Sequence, residues 1–239
     1  MRKTIGVLGG MGPAATVELF SRVVNNTTAN NDSDHVKLII INDPTIPDRT
    51  KYILGNGVSP IPLLKKNLNK LAYLEVDAVI IPCMTAHAFI PQLQQNYPIP
   101  IVNGIELIEE YLNNNEPNIE KIGLLATNGS IRSGVYQKYI SRKIITPNDK
   151  NQEKLMDIIY GEKGIKAGNI NDDVLNRLKY IIDDLKDNGA QAIIAGCTEL
   201  GLVLTEDKIN ELIIDPITLL AKKAIEIGSI DYQHLKLKQ

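Results

Sequence analysis

The sequence predicts an α/β fold of two pseudo-symmetric α/β/α domains with mostly parallel sheets, and three observations carry that prediction. Short β-branched runs alternate with longer amphipathic stretches along the chain, the pattern of repeated βα units. The short runs are continuously apolar, as strands covered on both faces are. The chain also repeats itself approximately. Ile5-Gly6-Val7-Leu8-Gly9 resembles Ile122-Gly123-Leu124-Leu125-Ala126, 117 positions on, and Ala78-Val79-Ile80-Ile81-Pro82-Cys83 resembles Ala192-Ile193-Ile194-Ala195-Gly196-Cys197, 114 positions on. Two such offsets near half of the 239 residues point to two related halves.

The elements follow in order. An apolar strand over 4–8 leads through a glycine-rich turn into a helix over 14–30. A strand over 37–42 and a helix over 61–74 come next, then a strand over 78–82 that ends at Cys83. A short strand at 99–102 and a helix over 105–113 close the first half. The second half has a strand over 122–126, a polar surface loop over 146–154 and helices over 152–160 and 172–188. A strand over 192–196 ends at Cys197, and a short strand at 213–215 precedes a last helix over 217–227. The boundary falls at 102–103, after Tyr97-Pro98-Ile99-Pro100, although the polar run Asn113-Asn114-Asn115-Glu116-Pro117 is a second possible border. The last helix is expected to return to the first half. The domains are then 1–102 plus about 208–239, and 103–207.

Composition narrows the function. A chain with 44% hydrophobic and 23% charged residues and a net charge of −2 lacks the basic excess of a nucleic-acid binder. No apolar run approaches the roughly 20 residues that span a bilayer. The first residues carry no signal-peptide pattern, and two cysteines are not a secreted disulfide framework, so the reducing cytoplasm is the expected compartment. His35, His87 and His234 are scattered without metal-ligand spacing. There is no Walker A motif, and Gly9-Gly10-Met11-Gly12 lacks the full dinucleotide fingerprint.

Each cysteine follows an apolar strand and precedes an expected helix. Ligands gather beyond the carboxyl ends of strands in such sheets, and a helix N-terminus favours a thiolate. Inverting a stereocentre by proton exchange needs a base on one face of a carbon and an acid on the other, which two thiols, one per half, would supply. Cysteine is also a common core residue, so strand-end placement alone leaves both readings open.

The flanking residues go further. Pro82-Cys83-Met84-Thr85-Ala86-His87, Gly196-Cys197-Thr198-Glu199-Leu200 and Gly9-Gly10-Met11-Gly12-Pro13 resemble the aspartate/glutamate racemase family. Asn42-Asp43-Pro44-Thr45-Ile46-Pro47-Asp48-Arg49-Thr50 and Ile165-Lys166-Ala167-Gly168 are similar to its aspartate branch. The resemblance implies racemisation of a small acidic amino acid by a two-base mechanism with no cofactor, neither pyridoxal phosphate nor metal. It also implies an active site in the cleft between the domains and a homodimer. On it, Cys83 and Cys197 are the catalytic pair, with Cys83 serving the D-enantiomer. Arg49 and Lys166 hold the side-chain carboxylate, a role that suits a guanidinium fork. Gly164 and Gly168 make the Lys166 segment a mobile loop. Thr85 and Thr198 hold the α-carboxylate or simply cap the following helices. Met11, Met84, Thr127 and Glu199 complete the substrate contacts, with Asn128 beside Thr127. His87 is a half-buried structural residue or acts on Cys83. One departure stands out: relatives carry Asn where this chain has Met84, and a thioether cannot donate the amide's hydrogen bond. That leaves glutamate or a broader range of amino acids as alternative substrates, and a weakened amino-acid binding protein as an alternative function.

Overall fold

The computed structural model describes residues 2–205 and 208–229. His234, and residues 206–207 and 230–239 of the segments assigned above to the two domains, lie outside the described residues.

The first half runs through β1 (Thr4–Gly9), α1 (Pro13–Asn26), β2 (Lys37–Asn42), α2 (Arg49–Ile53), α3 (Ile61–Tyr73), β3 (Ala78–Ile80), α4 (Ile90–Gln94) and α5 (Gly104–Asn115). The second runs through β4 (Lys121–Leu125), α6 (Asn128–Ser133), α7 (Val135–Tyr139), β5 (Lys143–Ile145), α8 (Asp149–Tyr160), α9 (Asp172–Asp187), β6 (Ala192–Ala195), β7 (Ile213–Ile214) and α10 (Pro216–Gly228). The strands form two parallel sheets, ordered β2-β1-β3 and β5-β4-β6-β7. The α/β class and the parallel pairing are therefore as the alternation of apolar runs predicts.

The repeat extends into topology. β1 stands centrally between β2 and β3 as β4 stands between β5 and β6. Beyond β3 lies a single parallel bridge, Val79 to Ile101, where the second half has β7 paired to β6 at Ile193 and Ile213. After each comes a helix capped alike. Asn103 accepts from the Ile105 N–H at the start of α5, and Asp215 from the Ile217 N–H at the start of α10.

Alternate strand residues serve different cores, the period-two consequence of a pleated strand. Ile5, Val7, Ala78, Ile80, Ile122, Leu124, Ala192 and Ile194 share one central core with α1, α5, α7 and α10. Val79 and Ile81 turn to the opposite face, against α3 and α4, and Leu125 and Ile193 against α8 and α9. The two sheets are thus tied through a common helical layer. Among the described residues no helix is long and apolar enough to cross a membrane.

Several expected bounds shift. α1 stops at Asn26, where the Thr27 hydroxyl and N–H both bond back to the Val23 carbonyl; residues 27–30 are not helical, and a separate 3-10 turn follows at Asp32–Asp34. β3 ends at Ile80: Pro82 has no N–H for the ladder, and the Cys83 N–H bonds to the Ile81 carbonyl at 2.8 Å. The loop expected over 146–154 is helical from Asp149, because Asn148 caps α8 by accepting from Asn151. Its first turn is polar because Asp149 and Lys150 meet solvent while buried Asn151 donates to Asp184 at 2.9 Å. The run Asn113-Asn114-Asn115 belongs to α5. The segment 99–102 gives one bridge and no full strand.

Candidate active site

The site is built at the carboxyl ends of β1, β3 and β6. The chain leaves β1 through Gly9 and Gly10. Gly10 has φ +94°, and a Cβ there would lie 2.4 Å from the Asp43 backbone, so only glycine fits between the ends of β1 and β2. Its N–H donates to Thr16 Oγ1 at 3.0 Å, and this turn carries Met11 over the strand ends. Cys83 and Cys197, both buried and free, cap the 3-10 turns Met84–Phe89 and Thr198–Leu202. All ten residues singled out as catalytic or substrate-binding line one cavity: Met11, Arg49, Cys83, Met84, Thr85, Thr127, Lys166, Cys197, Thr198 and Glu199. Tyr160 is the eleventh. The space in which the centre of a water molecule fits is about 10 Å³, room for about one water.

Arg49, the first residue of α2, is buried and committed. Its Nη1 donates to the Ile46 and Pro47 carbonyls at 3.2 Å each, and its Nη2 to the Met11 carbonyl at 3.0 Å. Asp48 beside it does not pair with it but caps α2, accepting from the Lys51 N–H at 2.7 Å. Of five guanidinium N–H groups, the Nε–H is buried without a partner and one Nη2–H is uncommitted to a carbonyl. The Cys83 side chain is a further hydrogen-bond partner of the guanidinium, and an Nε–H with an Nη2–H is a pair that can grip a carboxylate side-on. Burial alone would lower the Arg49 pKa, but Cys83 and Asp48 nearby raise it, so the cation is secure.

Lys166 rides the 3-10 turn Ile165–Ala167 between Gly164 and Gly168, the latter at φ +92°. Its ammonium pairs with Glu199 Oε1 and lies 5.6 Å from the Tyr160 ring centroid. Glu199 is 2% exposed and fully bonded. Oε1 also accepts from the Gly12 N–H at 3.1 Å, while Oε2 accepts from the Cys197 thiol at 3.0 Å and the Thr198 hydroxyl at 3.3 Å. Burial opposes both charges, yet each partner outweighs it: the Lys166 pKa rises and the Glu199 pKa falls. Cys197 does not follow the expected helix-terminus effect. Burial, then the adjacent Glu199 carboxylate, push its pKa well up against the pull of Lys166. A five-residue 3-10 turn carries little macrodipole to offset that.

The two threonines that follow the cysteines reach across the cleft reciprocally. Thr85 bonds Thr127 Oγ1 at 3.1 Å and Ser130 Oγ at 2.9 Å in the second half. The single Thr198 hydroxyl hydrogen is shared between the Pro82 carbonyl in the first, at 3.2 Å, and Glu199 Oε2 at 3.3 Å. Neither hydroxyl caps its own turn; that alternative is set aside. Thr127 caps α6, accepting from the Ser130 N–H, and receives the Thr50 hydroxyl at 3.2 Å.

Met84 is buried with its methyl end toward the start of α5: a Cβ on Gly104 would lie 3.1 Å from its Cε and 3.2 Å from His87 Nε2. His87 is fully buried, not half-buried. Its Nδ1 bonds the Cys83 carbonyl at 3.0 Å, Nε2 has no partner, and burial lowers its pKa to about 4, which makes it neutral with Nδ1–H as the donor. Asn128 turns from the cavity and accepts from Gln152 at 2.8 Å. Sequence reasoning missed Tyr160, Thr50 and Ser130. Tyr160 ends an amphipathic helix, where a tyrosine reads as surface; its hydroxyl donates to Thr50 at 3.3 Å and burial pushes its pKa up. No local signal marks any of the three.

The profile of the Asp/Glu/Hydantoin racemase family matches residues 8–224. The aspartate racemase of Picrophilus torridus has a similar structure, with TM-score 0.83, 27% identity and 98% of each chain covered. The broad specificity amino-acid racemase RacX of Bacillus subtilis is 26% identical over 92% of this chain and 96% of its own. A glutamate racemase of Persephonella marina is 28% identical over 56% of this chain and 51% of its own.

Proposed function

The chain belongs to the Asp/Glu/hydantoin racemase family, and from that premise we propose that it interconverts the enantiomers of a small acidic amino acid, aspartate foremost, by proton transfer between two thiols without a cofactor. The observation that carries the proposal is that Cys83 and Cys197, from opposite halves, line one cavity with Arg49 and Lys166.

In this reading the uncommitted Nε–H and Nη2–H edge of Arg49, with Lys166, holds the side-chain carboxylate. The Thr85 and Thr198 hydroxyls hold the α-carboxylate, which orients the α-carbon between the two sulfur atoms. One thiolate removes the α-proton and the opposite thiol returns one to the other face; for the other enantiomer the roles exchange. The two cations stabilise the charge that develops on the substrate. A cavity with room for about one water keeps bulk solvent out once closed. It also has to open to admit an amino acid.

Proton NMR in deuterated water tests this. Incubation with L- or D-aspartate should remove the α-proton signal while the opposite enantiomer accumulates. Cys83→Ala and Cys197→Ala should each abolish interconversion, because each removes half of the relay; full activity in either would refute the two-thiol assignment. A second reading, broader specificity, is favoured by Met84 in the place of the family's asparagine and by the similarity to RacX. Exchange of neutral amino acids at rates like that of aspartate would support it. Ligand-induced stabilisation without any exchange would instead indicate a binding protein.

A further inference from the structure

Glu199 occupies a singular place: its two oxygens join the residue expected to recognise the substrate to one of the two thiols. Oε1 is held by Lys166 and the Gly12 N–H, and Oε2 accepts the Cys197 and Thr198 hydrogens. Glu199, Cys197 and Thr198 are buried, whereas the Lys166 side chain is about one-fifth exposed. Lys166 is the partly exposed member of the cluster, so an acidic ligand that enters the opened cavity competes with Glu199 Oε1 for its charge.

We propose that Glu199 is a positioning residue that acts as a substrate-gated proton switch for Cys197. This rests on the racemase reading above and deepens it. While Lys166 is paired to Oε1, the single negative charge of the Cys197–Glu199 pair stays on the carboxylate and the sulfur keeps its proton. When the ligand's side-chain carboxylate takes Lys166, Glu199 loses its cation. The Cys197 S–H bond then breaks, an O–H bond forms at Oε2, and the electron pair remains on sulfur. The pair still carries one negative charge, now on the thiolate, so no proton enters from or leaves to solvent. The remaining ionisable groups around the cluster do not compete. Arg49 stays cationic, and burial pushes the Tyr160 and Tyr136 pKa values up, which keeps both phenols neutral. The turn is anchored by buried Ile165 and by Gly164, packed against the Ile158 carbonyl, so it is the part-exposed Lys166 side chain that swings, beside the open space at Gly168. The switch arms a base only for substrates that carry a second carboxylate, which makes specificity part of the chemistry and not of binding alone.

The chain has two cysteines, so Cys83→Ser leaves Cys197 as the sole source of thiolate ultraviolet absorbance. At neutral pH, 2-methylaspartate, which has no α-hydrogen to lose, should raise that absorbance, whereas 2-aminoisobutyrate, which has no second carboxylate, should not. Adding Glu199→Gln should remove the ligand-dependent rise. In the protein with both cysteines, Glu199→Gln should lower kcat for aspartate by roughly 100-fold or more. KM should hold or fall, because substrate no longer competes with Glu199 for Lys166, and Glu199→Asp should recover part of kcat. If 2-methylaspartate stabilises the protein against heat and aspartate is racemised while the thiolate signal stays flat, the switch is overturned and the racemase reading stands. A Glu199→Gln variant with unchanged kcat, or with a raised KM, overturns it as well. If no acidic amino acid binds or exchanges, the racemase reading itself fails and the switch falls with it.

Discussion

Replacing Arg49 by lysine keeps the positive charge and removes the fork, and the geometry sets what that should cost. Three guanidinium N–H groups serve the Ile46, Pro47 and Met11 carbonyls at 3.0–3.2 Å, which leaves the Nε–H and one Nη2–H without a carbonyl partner. An ammonium has three donors on one nitrogen. It cannot serve three carbonyls and two carboxylate oxygens at once. Losing one of two charge-assisted hydrogen bonds to the ligand costs about 1.5–3 kcal/mol, which is roughly a 10- to 150-fold loss of affinity for an acidic substrate. Carbonyls left unpaired beneath it would also weaken folding, by about 1–3 kcal/mol for each one that stays dry. The assay must separate these effects. The KM for aspartate, measured beside the inhibition constant of alanine, does so, because alanine has no side-chain carboxylate and a general loosening of the site would affect both. Arg49→Lys should raise the aspartate value by the stated factor and leave alanine within about threefold. Parallel changes in the two, or an unchanged aspartate KM, would refute the assignment of the Arg49 edge to the side-chain carboxylate.

Two further predictions concern stability. His87 titrates at about 4 when folded against 6.5 for the free group, so the native state binds fewer protons between those values. The stability present above pH 6.5 is therefore lost as pH falls toward 4, by about 3 kcal/mol in full. Urea unfolding at several pH values should show that loss in the parent and a smaller one in His87→Asn, whose amide still donates to the Cys83 carbonyl; identical curves would contradict it. Thr127→Val keeps the volume but removes the cap of α6 and the partner of Thr50, Thr85 and Ser130. It should cost about 1–3 kcal/mol in the same assay, and a loss below about 0.5 kcal/mol would show that water replaces the network.

Local features of the chain were enough to predict the α/β class, six of the seven strands among the described residues and the positions of both cysteines, but not the short strand Lys143–Ile145. A buried strand shows as a continuous β-branched run, and a residue that ends such a run stands where parallel sheets expose their ligand sites. Of the ten residues gathered at the cavity, the two cysteines and Thr127 were marked by their places at strand ends and the others through motif resemblance, because periodicity says nothing of who meets whom across a cleft. Short elements escaped for a related reason. α2, α4, α6 and α7 have five or six residues each, below the length at which a helix holds by itself, so packing and not propensity decides that they form. Only tertiary structure could bring Tyr160 and Thr50 together, or set the Gly12 N–H against Glu199, which lies 187 positions away. The protonation of Cys197 followed the same rule. Its place before an expected helix N-terminus suggested a lowered pKa, whereas burial and a carboxylate bonded to Lys166 raise it. Charge in a dry site depends on neighbours within a few ångströms, and the fold alone determines which neighbours those are.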